Sequence, residues 1–315
     1  MKYEHWLCSS SVSRHVPFSS SRTLLGALYN PFVIANPKVV RLMREIRFSI
    51  DRDWVRAAHG DSGFQGALPV TNSWGGWPSA VGIAPYLVLR IVVSGPPDPL
   101  TGYLVNIQEL DALLRRDAIP AAAKMLSVSG VGLTGERLLQ AIYREVATQV
   151  AGGEISHVRL DSLSLSTTPF LSYAINSGDP DMVELTQCFE FSASHRLHVA
   201  GLSPDENRRV FGKCNNPAGH GHNYQVEVTV AGKIAADTGA VLPLPAFESI
   251  VKQEVIDRFD HKHLNTDTPD FREVNPSVEN ITRRIWELLE GKVTPAKLQR
   301  VRVWETAKTY AEYCA

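Results

Sequence analysis

The chain has 315 residues, roughly twice the ~150 of a typical domain, and its 44% hydrophobic and 21% charged content is that of globular material. Its 32 basic and 33 acidic residues leave a net charge of −1, so neither nucleic acid nor an anionic membrane is indicated as a partner. No run nears the ~20 apolar residues of a bilayer span, and cysteines at 8, 188, 214 and 314 are too few and scattered for a disulfide framework; a cytoplasmic chain of two domains is expected.

Residues 1–42 read as an extension, with a Ser-rich patch at Ser9–Ser21 and no apolar core of signal-peptide type. Ile46–Ser49 opens a strand, and Ser79–Gly95, with Arg90 in its centre, reads as a buried one. Glu136–Val146 has helical apolar spacing and precedes a strand at Val158–Leu160. Ser172–Asp181, containing Asn-Ser-Gly-Asp-Pro, reads as a linker. Phe189–His195 and Tyr224–Val230 alternate as strands do. Ala246–Phe259 carries apolar residues at helical spacing, and a second helix follows Asn275-Pro276, with Ser277 as cap and Gly291 as stop. Val301 and Val303 supply the last strand.

These elements repeat. Tyr86–Gly95 matches Asn223–Gly232, and Thr101-Gly102 matches Thr238-Gly239, both at an offset of 137. Ile46–Ser49 against Phe189–Ser192, Glu136–Val146 against Glu279–Leu289, and Val158–Leu160 against Val301–Val303 all fall at 143. Each unit reads as strand, insertion, strand, hairpin, strand, helix, helix, strand. The expected class is α+β, with a mostly antiparallel sheet and helices on one face. Boundaries fall at 43–176 and 183–315.

The chemistry lies in the second unit, where six of the ten histidines fall between 195 and 263. Residues i and i+2 of a strand share a face, so His220 and His222 can meet one metal ion, with His195 the best third ligand. Three histidines and an open fourth position suit a catalytic zinc; a hydrogen-bonded turn with surface histidines is the plainer alternative. Beside such an ion Cys214 could ligate or abstract protons. Asp260-His261 could form an oriented acid–imidazole pair, and Glu305 ends the last strand facing a pocket or water.

The segments FSASHRL (191–197), FGKCNNPAGHGHNY (211–224), FDHKHLN (259–265), NPSVEN (275–280) and WET (304–306) together resemble the 6-pyruvoyltetrahydropterin synthase family, which includes the 6-carboxytetrahydropterin synthases. The resemblance covers about 183–315. It implies the tunnelling fold, in which ββααββ units assemble into barrels, and a lyase acting on 7,8-dihydroneopterin triphosphate. It further implies that His195, His220 and His222 hold zinc, that Cys214 is the catalytic base and that Asp260 and His261 are its proton-transfer partners. Glu305 would anchor the pterin, with Ser277 a weaker contact. Two features depart from the family pattern. Pro243 replaces an Asp expected in a strand before the helix, implying an edge or broken strand. The longer spacing from Cys214 to His220 is closer to the 6-pyruvoyl enzymes. The 6-pyruvoyl and 6-carboxy products, and a biopterin-like cofactor or a deazapurine (queuosine-type) precursor downstream, both stay open.

In the first unit Arg52 aligns with His195, Ile83 and Pro85 with the HxH pair, and Ser162 with Glu305; no cysteine lies between 8 and 188. The expectation is a degenerate copy without a metal site. The resemblance implies a homo-oligomer, a trimer or hexamer: a trimer if the tandem chain keeps six units, or an assembly in which each unit forms its own trimeric ring, one active and one silent. A non-catalytic pterin- or zinc-binding scaffold of the same fold is the alternative function.

Overall fold

The computed structural model describes residues 39–50, 76, 83–129, 132–153, 155 and 157–315. The Ser-rich patch, most of the extension and Arg52 lie outside them. The described strands are β1 (Val40–Ser49), β2 (Tyr86–Gly95), β3 (Arg159–Thr168), β4 (Leu171–Asn176), β5 (Met182–His195), β6 (His220–Lys233), β7 (Lys262–His263), β8 (Lys297–Thr306) and β9 (Thr309–Cys314). They form one sheet in the order β1-β2-β3-β4-β5-β6-β8-β9, with β7 paired to β5. Every neighbouring pair is antiparallel except β5–β7.

Helices cover one face. α1 (Ile107–Leu113) runs through a π segment at Leu114–Ala118 into α2 (Ile119–Ser129), and α3 (Gly135–Ala151) follows. The second half adds α4 (Pro204–Phe211), α5 (Leu244–Val251), with a π segment at Lys252–Ile256, and α6 (Val278–Leu289). Leu138, Leu139, Ile142 and Val146 of α3 and Ile281, Ile285 and Leu289 of α6 are buried against the sheet, each burial contributing about 1.5–3 kcal/mol. Thr134 and Ser277 cap α3 and α6 by accepting from the amides of Arg137 and Asn280. Gly291 takes the positive φ, 75°, of a helix stop. No helix among the described residues is long and apolar enough to cross a membrane.

The α+β class holds, with three corrections of detail. No strand or hairpin follows β2 or β6: Pro243 precedes α5 as its cap, with φ −52° and ψ 126°. The hairpins instead close each half, as β3–β4 and β8–β9. The expected linker is half strand, because Leu171–Asn176 is β4, and only residues 177–181 turn before β5. Tyr173 and Ile175 there are core residues. Third, the registers align β3 with β8 at an offset of 138, not 143. Bulges at Val92/Val93 and Thr229/Val230, and again at Ser166/Thr168 and Trp304/Thr306, fall at matching places. The cause is helix length: α3 has 17 residues and α6 has 12. Thr167, rather than Ser162, therefore stands where Glu305 stands.

Candidate metal centre

His195 ends β5 and His220 begins β6, directly opposite in the register, with Ala193 opposite His222. Strand alternation then puts all three imidazoles on the helix-covered face. Gly219, at φ +71°, makes the entry to β6 possible, since a Cβ there would lie 2.8 Å from the His195 carbonyl oxygen and 2.9 Å from His263 Nε2. One ligand atom from each of the three histidines lies within 4.8 Å of the others.

Their chemistry suits a metal. The His195 side chain is fully buried, and its Nδ1 lies 2.6 Å from the Pro276 carbonyl oxygen. A carbonyl only accepts, so Nδ1 carries the proton and Nε2 turns a lone pair inward. That Nε2 is 3.1 Å from His220 Nε2. His222 Nε2 is buried with no hydrogen-bond partner, a ring nitrogen that an ion would satisfy. Burial is the main cause that holds both His195 and His222 below the ordinary imidazole range, favouring the neutral form that ligates.

Glu305, at the end of β8, joins them: its Oε1 lies 3.5 Å from His195 Nε2 and 3.7 Å from His222 Nε2. The sequence reading gave the site no fourth protein donor, and the structure puts a carboxylate beside it. Tyr224 also belongs here. It continues the alternation His220, His222, Tyr224, which is the sequence signal that marks it. Its ring stacks on Phe191 at 5.0 Å and its hydroxyl lies 3.4 Å from His195 Nδ1. Burial pushes its phenol far up, and the charges of Glu305 and Cys214 add to this. The Pro276 carbonyl had no sequence signal of its own.

The other expected residues divide. Cys214 lies half-buried on a single 3₁₀ turn, Gly212–Asn215, outside the histidine cluster. By contrast, burial, then Glu227 and Glu190, push the Cys188 thiol up to about 11, which leaves it inert. Asp260 accepts from the Ser192 amide at 2.8 Å and lies 2.8 Å from His261 Nδ1. The Ser192 bond first, then His261, holds its carboxyl below the usual range. The dyad lies beside the edge of β5 away from β6, because β7 pairs there while β6 takes the whole other edge. There His261 lines an open groove of about 590 Å³ with Ser192, Ser194, Lys262 and His263, and the same groove is bordered from β6 by His222 and Asn223. Ser277 spends its hydroxyl on capping α6.

The segment between His195 and His220 is held by asparagines. Asn207 bonds the Val199 amide and the carbonyls of Val199, Leu202 and Ser203. Asn265 brackets Arg196 through both its amide and carbonyl, Asn215 bonds the Leu197 carbonyl and Asn275 takes the His198 amide.

Residues 184–315 match the 6-pyruvoyl tetrahydropterin synthase family. A 6-pyruvoyl tetrahydrobiopterin synthase of Poecilia reticulata is 43% identical over 144 residues, 44% of this chain and 97% of that protein. The chain belongs to the 6-pyruvoyl tetrahydropterin synthase family. The human protein of the same name is 41% identical over 130 residues, 41% of this chain and 90% of its own length. The solved structure of Caenorhabditis elegans 6-pyruvoyl tetrahydropterin synthase aligns at 34% identity and a TM-score of 0.40, covering 42% of this chain and 96% of that one. The synthase family match contains the histidine cluster, Glu305, Cys214 and the Asp260–His261 pair, and stops short of the first half.

Proposed function

We propose that this chain converts 7,8-dihydroneopterin triphosphate to a 6-substituted tetrahydropterin with loss of triphosphate, using a zinc ion held by His195, His220 and His222. The observation that carries this is the convergence of three imidazoles, one of whose buried Nε2 atoms has no hydrogen-bond partner. When bound, the ion supplies Lewis-acid polarisation of substrate oxygens. Cys214 serves as the base that takes a proton from the substrate side chain. Asp260 holds the proton on His261 Nδ1, leaving Nε2 to accept or return one at the groove. Glu305 accepts from the adjacent amino and ring N–H donors of a pterin, and Ser277 is a weaker contact limited by its capping role. The spacing from Cys214 to His220 and the names of the relatives above favour the 6-pyruvoyl product. A 6-carboxy-5,6,7,8-tetrahydropterin synthase of Haemophilus influenzae is 27% identical over 152 residues.

The first half, about 43–176, is proposed to be a degenerate copy of the second, 183–315. Matching bulges, caps and π segments support the duplication, and Ile83, Pro85 and Thr167 at the site positions support its loss of chemistry. Cys188 and Cys214, neither of them in a disulfide among the described residues, support a reducing compartment such as the cytoplasm. The deciding experiment is incubation of the zinc-loaded chain with 7,8-dihydroneopterin triphosphate, following triphosphate and identifying the pterin by mass. Release with a 6-pyruvoyl product is expected; no release with zinc bound would overturn the catalytic proposal.

A further inference from the structure

The first half keeps a cavity at the place where the second half keeps its histidines. About 200 Å³ lies between the start of β2, the end of β3, the start of α3 and the last turn of α2. Leu87, Leu126, Leu133 and Leu138 wall it, and Thr134 and Thr167 also line it. No charged side chain lines it among the described residues. We propose that this cavity binds a small neutral aromatic compound with one hydrogen-bonding substituent, of the phenol type.

Its position follows from the sheet and the helix caps. Pro85 and Leu87 stand where β6 has His222 and Tyr224, since Leu87 pairs with Phe48 as Tyr224 pairs with Phe191. The matching bulges set Thr167 against Glu305. Thr134 caps α3 as Ser277 caps α6. This correspondence rests on the duplicated-unit reading; the cavity and its lining do not.

What the replacements change is polarity. Pro85 and Thr167 can neither ligate as His222 would nor accept from paired N–H donors as Glu305 would. A pterin carries several N–H and oxygen groups that leucine walls leave unpaired, each a loss on binding. A charged ligand fares worse, because no lining side chain supplies the opposite charge. A neutral, mostly apolar ligand is what these walls accept.

The polar complement is small and specific. Thr134 Oγ1 donates to the Gly239 carbonyl and accepts from the Arg137 amide, so both of its roles are filled. Thr167 Oγ1 is buried with no hydrogen-bond partner. A ligand hydroxyl that reached it would pair a group otherwise left unsatisfied.

Size and access agree. The volume exceeds the roughly 150 Å³ of an engineered apolar cavity that takes up benzene, which leaves room for one ring and a short substituent. Pro85 and Tyr86 border the cavity and are exposed, so a ligand can enter beside the start of β2.

The test is calorimetric titration of the full, zinc-loaded chain with phenol, toluene and neopterin as probes. One phenol per chain is expected, held about five-fold more tightly than toluene, the ratio that one net hydrogen bond gives. No uptake of either ring at millimolar concentration, or equal affinity for both, would overturn the proposal. Thr167→Val keeps the shape and removes the hydroxyl, so toluene binding should persist while the preference for phenol is lost. A preference that survives in this variant would also overturn it. Leu126→Trp fills the cavity from α2 and should abolish uptake of both rings; undiminished uptake by the folded variant would place them elsewhere and overturn the site. If Leu126→Trp fails to fold, Thr167→Val still decides. Neopterin should not displace phenol, because the catalytic proposal puts pterins in the second half; displacement would move phenol there and overturn the assignment. None of these readouts follows turnover, so failure here and failure of the catalytic proposal are separable.

Discussion

The two halves of this sheet share a scaffold and differ in chemistry. Both run long strand, long strand, helices, then hairpin, and both place bulges and helix caps at corresponding positions. Yet where the second half puts His220, His222 and Glu305, the first puts Ile83, Pro85 and Thr167. The Thr167 hydroxyl is buried without a hydrogen-bond partner. Core alternation and capping thus recur in both halves, whereas among the described residues the histidine cluster occurs in the second half alone.

The sharpest break of that comparison is removal of a ligand. Replacing His195, His220 or His222 by Ala should lower bound zinc, measured by elemental analysis, from one ion per chain to none, and abolish turnover. Substituting Ile83 or Pro85 should leave the single ion in place. Two ions per chain in the parent protein would end the assignment of the first half as silent.

Cys214→Ala should keep the zinc and lower turnover by about 10²–10⁴-fold, the usual contribution of a positioned base. Loss of zinc in that variant would instead make the sulfur a ligand.

A structural contrast comes next. Arg302 is 1% exposed, with Glu227 and Glu312 at 3.1 and 2.5 Å and the Tyr310 ring at 4.7 Å. Its counterpart in β3 is Ser164. Arg302→Met leaves Glu227 without its ion pair and Glu312 with Arg300 alone, and should cost about 3–5 kcal/mol in urea unfolding. Ser164→Ala should stay within ~0.5 kcal/mol.

The smallest effect is on pH. Burial lowers the His195 and His222 pKa values, so below about pH 6.5 the unfolded chain takes up protons that the folded one does not. Metal-free protein should therefore lose thermal stability as pH falls through that range, and His222→Gln should flatten the loss. A melting temperature indifferent to pH between about 5 and 7 would contradict the burial argument.

Much of this was legible in the sequence because local rules agree with the fold. Alternation marked β5 and β6, the Asn-Pro-Ser run marked the start of α6, and the i, i+2 rule brought His220 and His222 together. The rest depended on distance along the chain or on tertiary pairing. Val158–Leu160 resembles Val301–Val303 closely enough to suggest an offset of 143, but five extra residues in α3 move the true alignment to 138. Leu171, Tyr173 and Ile175 alternate as a strand should, yet the turn-forming residues that follow them dominate a local reading. The position of Asp260–His261 depends on the two-residue strand β7 pairing with β5, which nothing short-range announces. At the end of the last strand Glu305 reads as facing a pocket or water, and its approach to the histidines depends on the β6–β8 register.

The asparagine scaffold between His195 and His220 carries a dynamic consequence. Its backbone amides are tied to side-chain carboxamides rather than to neighbouring strands, so the amides of Arg196, His198 and Val199 can open together while β5 and β6 stay paired. Hydrogen exchange there should report a local opening at lower free energy than global unfolding. Because the segment joins two of the three histidines, that opening sets how often the loop beside the metal centre loosens without melting the sheet.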